Sequence, residues 1–103
     1  MISLDKLSGA YPAQSKEVSQ TMLSPIFVSF AKRYKLTTRE TQVMKILVLE
    51  GKRNDDIASM LFISPKTLKN HLAFMMRKTG TSSARGLISL FFKHAMQILL
   101  PSV

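Results

Sequence analysis

Apolar residues recur at helical spacing in five successive stretches of this chain, each fenced by residues that start or stop helices. Ser24-Pro25 is a start signal, with serine as N-cap and proline at the first helical position. Ile26, Phe27, Phe30, Ala31 and Tyr34 follow as a short amphipathic helix whose aromatic side must be buried. Thr37 and Glu40 are spaced as a capping box, in which the hydroxyl accepts from the Glu40 amide and the carboxylate from the Thr37 amide. Val43, Ile46 and Leu47, with Leu49 beside them, form the expected buried stripe, and Gly51 stops that helix in a left-handed turn. Asn54 is expected to cap the next helix, with Asp55 and Asp56 in a first turn where the helix dipole favours them. Ile57, Ala58 and Leu61 face inward, and Ile63 ends the turn. Ser64-Pro65 starts a helix that Gly80 terminates, and Ser83 caps a last one reaching about Leu99.

The stretch 65–79 divides cleanly. At about 100° per residue, Leu68, Leu72, Met75 and Met76 gather on one side. Lys66, Asn70, Ala73 and Arg77 gather on the other, with Lys69 at its edge. One face holds the helix on the domain, and the other offers cations and an amide to a partner. Residues 36–80 thus supply two short helices, a tight turn and a basic helix, the parts that lay a helix in a DNA major groove. In the last helix, Ala84, Leu87, Ile88, Phe91, Phe92, Ala95, Met96, Ile98 and Leu99 cover an arc of about 200°, where one buried face needs about 100°. Either the aromatic helix that follows Ser24 lies on its second side, or a second subunit does. Residues 1–12, with Gly9 and Pro12, read as a mobile arm, and 13–23 as a weak helix. The expected fold is all-α: a tetrahelical helix-turn-helix domain over 36–100, preceded over 1–35 by the arm and the short amphipathic helix.

Charge and composition narrow the function. In 103 residues, fifteen Lys and Arg face six Asp and Glu, for a net charge of +9, and no acidic residue follows Asp56. A basic C-terminal half suits a polyanion. The absence of cysteine removes disulfides and thiolate metal sites. His71 and His94 stand apart without clustered acids, and no Ser/His/Asp set, Gly-rich phosphate loop or paired carboxylate is present, so neither an enzyme nor a bound metal or cofactor is expected. The N-terminus lacks the apolar run of a signal peptide. Leu87–Leu100 is too short to span a bilayer and carries Lys93 and His94, so a cytoplasmic protein is expected.

The spaced motif Leu36-Thr-x-Arg-Glu40, Val43, Gly51, Asn54-x-x-Ile-Ala58, Leu61, Ile63-Ser64, Thr67-x-Lys-x-His-Leu72 and Lys78-x-Gly80 resembles the LuxR/FixJ-type, or GerE-type, DNA-binding domain of bacterial transcription regulators. The resemblance implies binding to double-stranded DNA as a homodimer joined through the last helix, with 65–79 in the major groove. The implied base-reading positions are Lys69, toward guanine O6 or N7, Asn70, toward adenine N6 and N7, and Ala73, against a thymine methyl. Lys66, Thr67, Arg77 and Lys78 read as phosphate contacts, helped by backbone amides at the Ser64-Pro65 helix start. Leu87, Ile88, Phe91, Phe92, Ala95, Met96 and Leu99 are the expected dimer interface.

The chain departs from the pattern at Thr79, usually apolar, at Ala84, where arginine is frequent and Arg85 comes one place late, and at Phe74, usually polar. A sensor domain commonly precedes the motif in this family; the stretch before Leu36 is too short for one, so control through abundance or a partner is expected. The expected function is sequence-specific transcriptional regulation. The alternative is an interaction module that pairs with a full-length regulator or with RNA polymerase.

Overall fold

The computed structural model describes residues 23–100, in which five helices follow one another without a strand. The expected arm over 1–12 lies outside the described residues, as does the weak helix apart from its last residue. Helix α1 covers 23–34, α2 Thr38–Glu50, α3 Asn54–Met60, α4 Pro65–Thr79 and α5 Ala84–Leu99.

Local chemistry sets most of the boundaries. Lys35 closes α1 in the left-handed region (φ 56°), and the Leu36 amide donates to the Ala31 carbonyl at 2.9 Å. The Thr37 box forms both ways: the Glu40 amide donates to Thr37 Oγ1 (3.1 Å) and the Thr37 amide to Glu40 Oε1 (2.9 Å). Gly51 ends α2 at φ 60° and Gly80 ends α4 at φ 75°, conformations that favour glycine. Ser64 and Ser83 cap α4 and α5, accepting from the amides of Thr67 (3.1 Å) and Gly86 (2.9 Å).

Two expected caps are displaced. Ser24 is already helical, so it does not cap α1. Asn54 is the first residue of α3; the cap position belongs to Arg53, extended at ψ 160°, whose carbonyl accepts from the Ile57 amide and whose side chain makes no capping bond. A cap preference of about 1 kcal/mol yields here to the packing of Ile57 and Ala58.

One core joins all five helices, with Phe27 and Phe30 from α1, Met44 from α2, Ile57 from α3, Leu68 and Met75 from α4 and Leu87 from α5 fully buried. On α2 the buried face falls on Glu40, Val43, Met44 and Leu47, leaving Ile46 and Leu49 half-buried. Apolar side chains almost encircle that helix, so spacing alone could not choose the face. On α5, Phe91 stacks on Phe27 (4.4 Å between centroids, 25°) and takes the edge of Phe30 (5.4 Å, 65°). The aromatic side of α1 therefore covers one flank of α5.

The same junction buries His94. Its Nε2 pairs with the Ser29 hydroxyl at 3.0 Å, the Phe30 ring meets it edge-on, and Nδ1 is buried with no partner among the described residues. Burial, seconded by the Arg33 charge, lowers its pKa from the ordinary 6.5. Folding favours the neutral ring, so this contribution to stability is full above pH 6.5 and lost as pH falls through the depressed value. The thermal midpoint should drop with acidification below pH 6.5, and the drop should flatten in His94→Gln. Equal slopes in the two proteins would remove His94 as the cause.

Candidate nucleic-acid interface

Helix α3, the turn that follows and α4 form the site. The turn is held by main-chain bonds: Leu61 to Ile57, Phe62 to Ser59 and Ile63 to Ala58, all between 3.0 and 3.1 Å. Phe62 takes a left-handed φ of 56° that reverses the chain, which leaves its ring 95% exposed. Sequence reading placed a turn here but singled out neither this geometry nor the bare ring.

Helix α4 presents its two faces as its spacing predicts. Leu68, Leu72 and Met75 are buried, while Lys66, Thr67, Lys69, Asn70, Ala73 and Arg77 are exposed. The outward face is built from two rows at i, i+4 spacing: Lys66, Asn70 and Phe74 in one, Lys69, Ala73 and Arg77 in the other. Lys66 and Lys69 line an open cleft with Asn54, Asp55 and Pro65, where the starts of α3 and α4 come together. Thr67 keeps its hydroxyl 2.9 Å from that of Ser64, whose own hydroxyl and carbonyl accept from the Thr67 and Leu68 amides. The positive end of the α4 dipole and the neighbouring lysines make this an anion-favouring end. Arg77 lies over the Phe74 ring, 5.2 Å from its centroid.

Lys78 differs from the other cations expected to touch phosphate. Its Nζ donates to Glu40 Oε1 at 2.7 Å and to the Lys35 carbonyl at 3.0 Å, tying the end of α4 to the start of α2. Burial alone would raise the Glu40 carboxyl. The Lys78 bond and charge, with the Thr37 amide, outweigh it and hold the group below the ordinary 4.5. The side chain is committed inside the domain, over a sequence separation that no local pattern reveals.

The residues expected at a dimer interface separate into two sets. Leu87, Phe91 and Ala95 are buried in the chain's own core, a correction to the expected interface; Phe91 is covered by Phe27 and Phe30 of α1. Ile88 is half-buried, while Phe92 (60%), Met96 (52%) and Leu99 (62%) are exposed, continued by Ile98 and Leu100. At Thr79 the hydroxyl bonds the Met75 carbonyl (2.8 Å) and pairs with Thr81, so a polar residue serves where an apolar one is usual. His94 was the buried polar group the sequence reading passed over; its place one turn after Phe91 in the 87, 91, 94/95 series was the available signal.

Among the described residues no group of three or more His, Cys, Asp or Glu could hold a metal ion, and no helix is long and apolar enough to cross a membrane. A short helix, a left-handed turn and a helix with a basic outward face define a helix-turn-helix domain. The family model described as bacterial regulatory proteins, luxR family, matches residues 34–91, more than half of the chain, and the chain belongs to that family. It is similar to the spore germination protein GerE of Bacillus subtilis, 49% identical over 45 residues, covering 44% of this chain and 60% of that protein. It is also similar to an HTH-type transcriptional regulator of Mycobacterium bovis, 46% identical over 48 residues, covering 47% of this chain but 5% of that much longer protein. The chain thus spans less than two thirds of each relative. No solved structure matches the chain significantly.

Proposed function

We propose that this protein is a sequence-specific, DNA-binding transcriptional regulator that places α4 in the major groove of double-stranded DNA and acts as a symmetric dimer. The observation that carries the reading is the outward face of α4: cations and an amide stand free on a helix whose other face is locked into the core. Luxr-family membership and the regulators among its relatives support the same reading. Lys69, Asn70 and Ala73 are the base readers, and Lys66, Thr67 and Arg77 the phosphate contacts. Phe92, Met96 and Leu99 at the outer flank of α5 are the surface for the second subunit, and two-fold pairing there predicts an inverted-repeat target. That same apolar flank favours the second reading, an interaction module docking on another regulator or on RNA polymerase.

Selection from random duplex DNA by the full chain tests the proposal. An inverted repeat should be enriched, and the enrichment lost in a Lys69→Ala, Asn70→Ala double variant. Asn70→Ala alone should relax discrimination at one base pair per half-site by about 1–3 kcal/mol. Arg77→Ala should instead weaken all sequences alike. Equal losses on target and random DNA for Asn70→Ala would remove it from base reading. If the folded chain binds no DNA, the interaction reading takes its place.

A further inference from the structure

We infer that Phe74 is an additional specificity residue, contacting the 5-methyl group of a thymine beyond the base read by Asn70. The inference rests on the placement of α4 in the major groove proposed above. Phe74 is 49% exposed, on the outward face of α4, while the next residue, Met75, points about 100° away and is fully buried. It continues the row of Lys66 and Asn70 by one helical turn, which sets it about 6 Å beyond Asn70, roughly two base steps along the groove floor.

The surroundings identify the partner. Asn70, His71, Ala73, Arg77 and Lys78 adjoin Phe74 on α4, polar or cationic apart from the small Ala73, so its own helix builds no broad apolar patch around it for a protein surface. The Arg77 guanidinium covers one face of the ring, which steadies the ring and leaves its edge and other face open. A phenyl edge has no hydrogen bond to offer a phosphate or a base amide. The thymine methyl is the apolar group in the major groove that it can meet, and burying both surfaces together favours thymine over every other base there.

Deoxyuridine differs from thymine by the methyl alone and provides the test. Each thymine of the selected site is replaced singly by deoxyuridine, and binding by the full chain is compared with that of Phe74→Ala and Phe74→Leu. At one thymine per half-site the replacement should weaken the wild type about threefold to tenfold. That penalty should vanish in Phe74→Ala and persist in part in Phe74→Leu, while discrimination at the Asn70 base pair stays intact. If Phe74→Ala weakens thymine and deoxyuridine sites equally, the ring only positions Arg77 and the inference fails. It fails equally if no methyl matters to the wild type, or if Phe74→Ala binds like the wild type, which would point to a protein partner for the ring. Should the wild type select no sequence at all, the failure belongs to the groove-reading proposal itself.

Discussion

Phe91→Ala should destabilise the domain by about 3–5 kcal/mol, enough to remove most of the stability of a domain this small. The ring is 2% exposed and stands between Phe27 at 4.4 Å and Phe30 at 5.4 Å, so its loss both empties a volume and strips two aromatic neighbours of their partner. The Ser29–His94 bond ties α1 to α5 at the same junction. Phe92, the next residue, is 60% exposed, and Phe92→Ala should change the stability of the subunit by little. Urea unfolding followed by circular dichroism measures both. Similar midpoints for the two variants would mean that α1 does not contribute to the folding unit.

The second large effect lies in the salt dependence of DNA binding. If each subunit neutralises about four phosphates, the logarithm of affinity for a pair of subunits falls with the logarithm of salt at a slope of about −7. Raising salt from about 50 to 200 mM then weakens binding by about four orders of magnitude. The free cations of α4 dominate this term. Arg77→Ala should flatten the slope by about 2 for a dimer, one counterion per subunit. Lys78→Ala should leave it nearly unchanged, because that ammonium is held by Glu40 and the Lys35 carbonyl. A slope of about −3.5 would indicate a single subunit on the DNA, and a Lys78 effect as large as that of Arg77 would show that its internal bonds open on binding.

What the sequence disclosed tracks the range of the interactions. The Thr37–Glu40 box, the Gly51 and Gly80 stops and the Ser64 and Ser83 caps are local chemistry, complete within a few residues, and each stands where its pattern placed it. The two faces of α4 were equally plain, since Leu68, Leu72 and Met75 are separated from the charged side by half a turn of helix. Long-range facts were not legible. A wide apolar arc on α5 announced two partners without saying that Phe27 and Phe30 pack on Phe91, that Leu87 and Ala95 are buried in the same core, and that Phe92, Met96 and Leu99 are left bare. Lys78 read as one more cation of a basic helix because Glu40 is distant along the chain. Asn54 and Ser24 carried strong local cap signals, yet both residues lie inside their helices.

The Lys78 strap also sets how α4 can move. Its ammonium joins the final turn of that helix to a carboxylate that is itself the N-terminal cap of α2 and to the carbonyl that closes α1. Fraying at the exit of α4 therefore gives up two bonds to neighbouring helix ends as well as its own. Amide exchange around Met76 and Arg77 should report a shared opening rather than independent end motion. Acid releases that joint from one atom pair: as pH falls below 4.5 and through the depressed Glu40 value, the carboxylate is protonated and the clasp on α4 lets go.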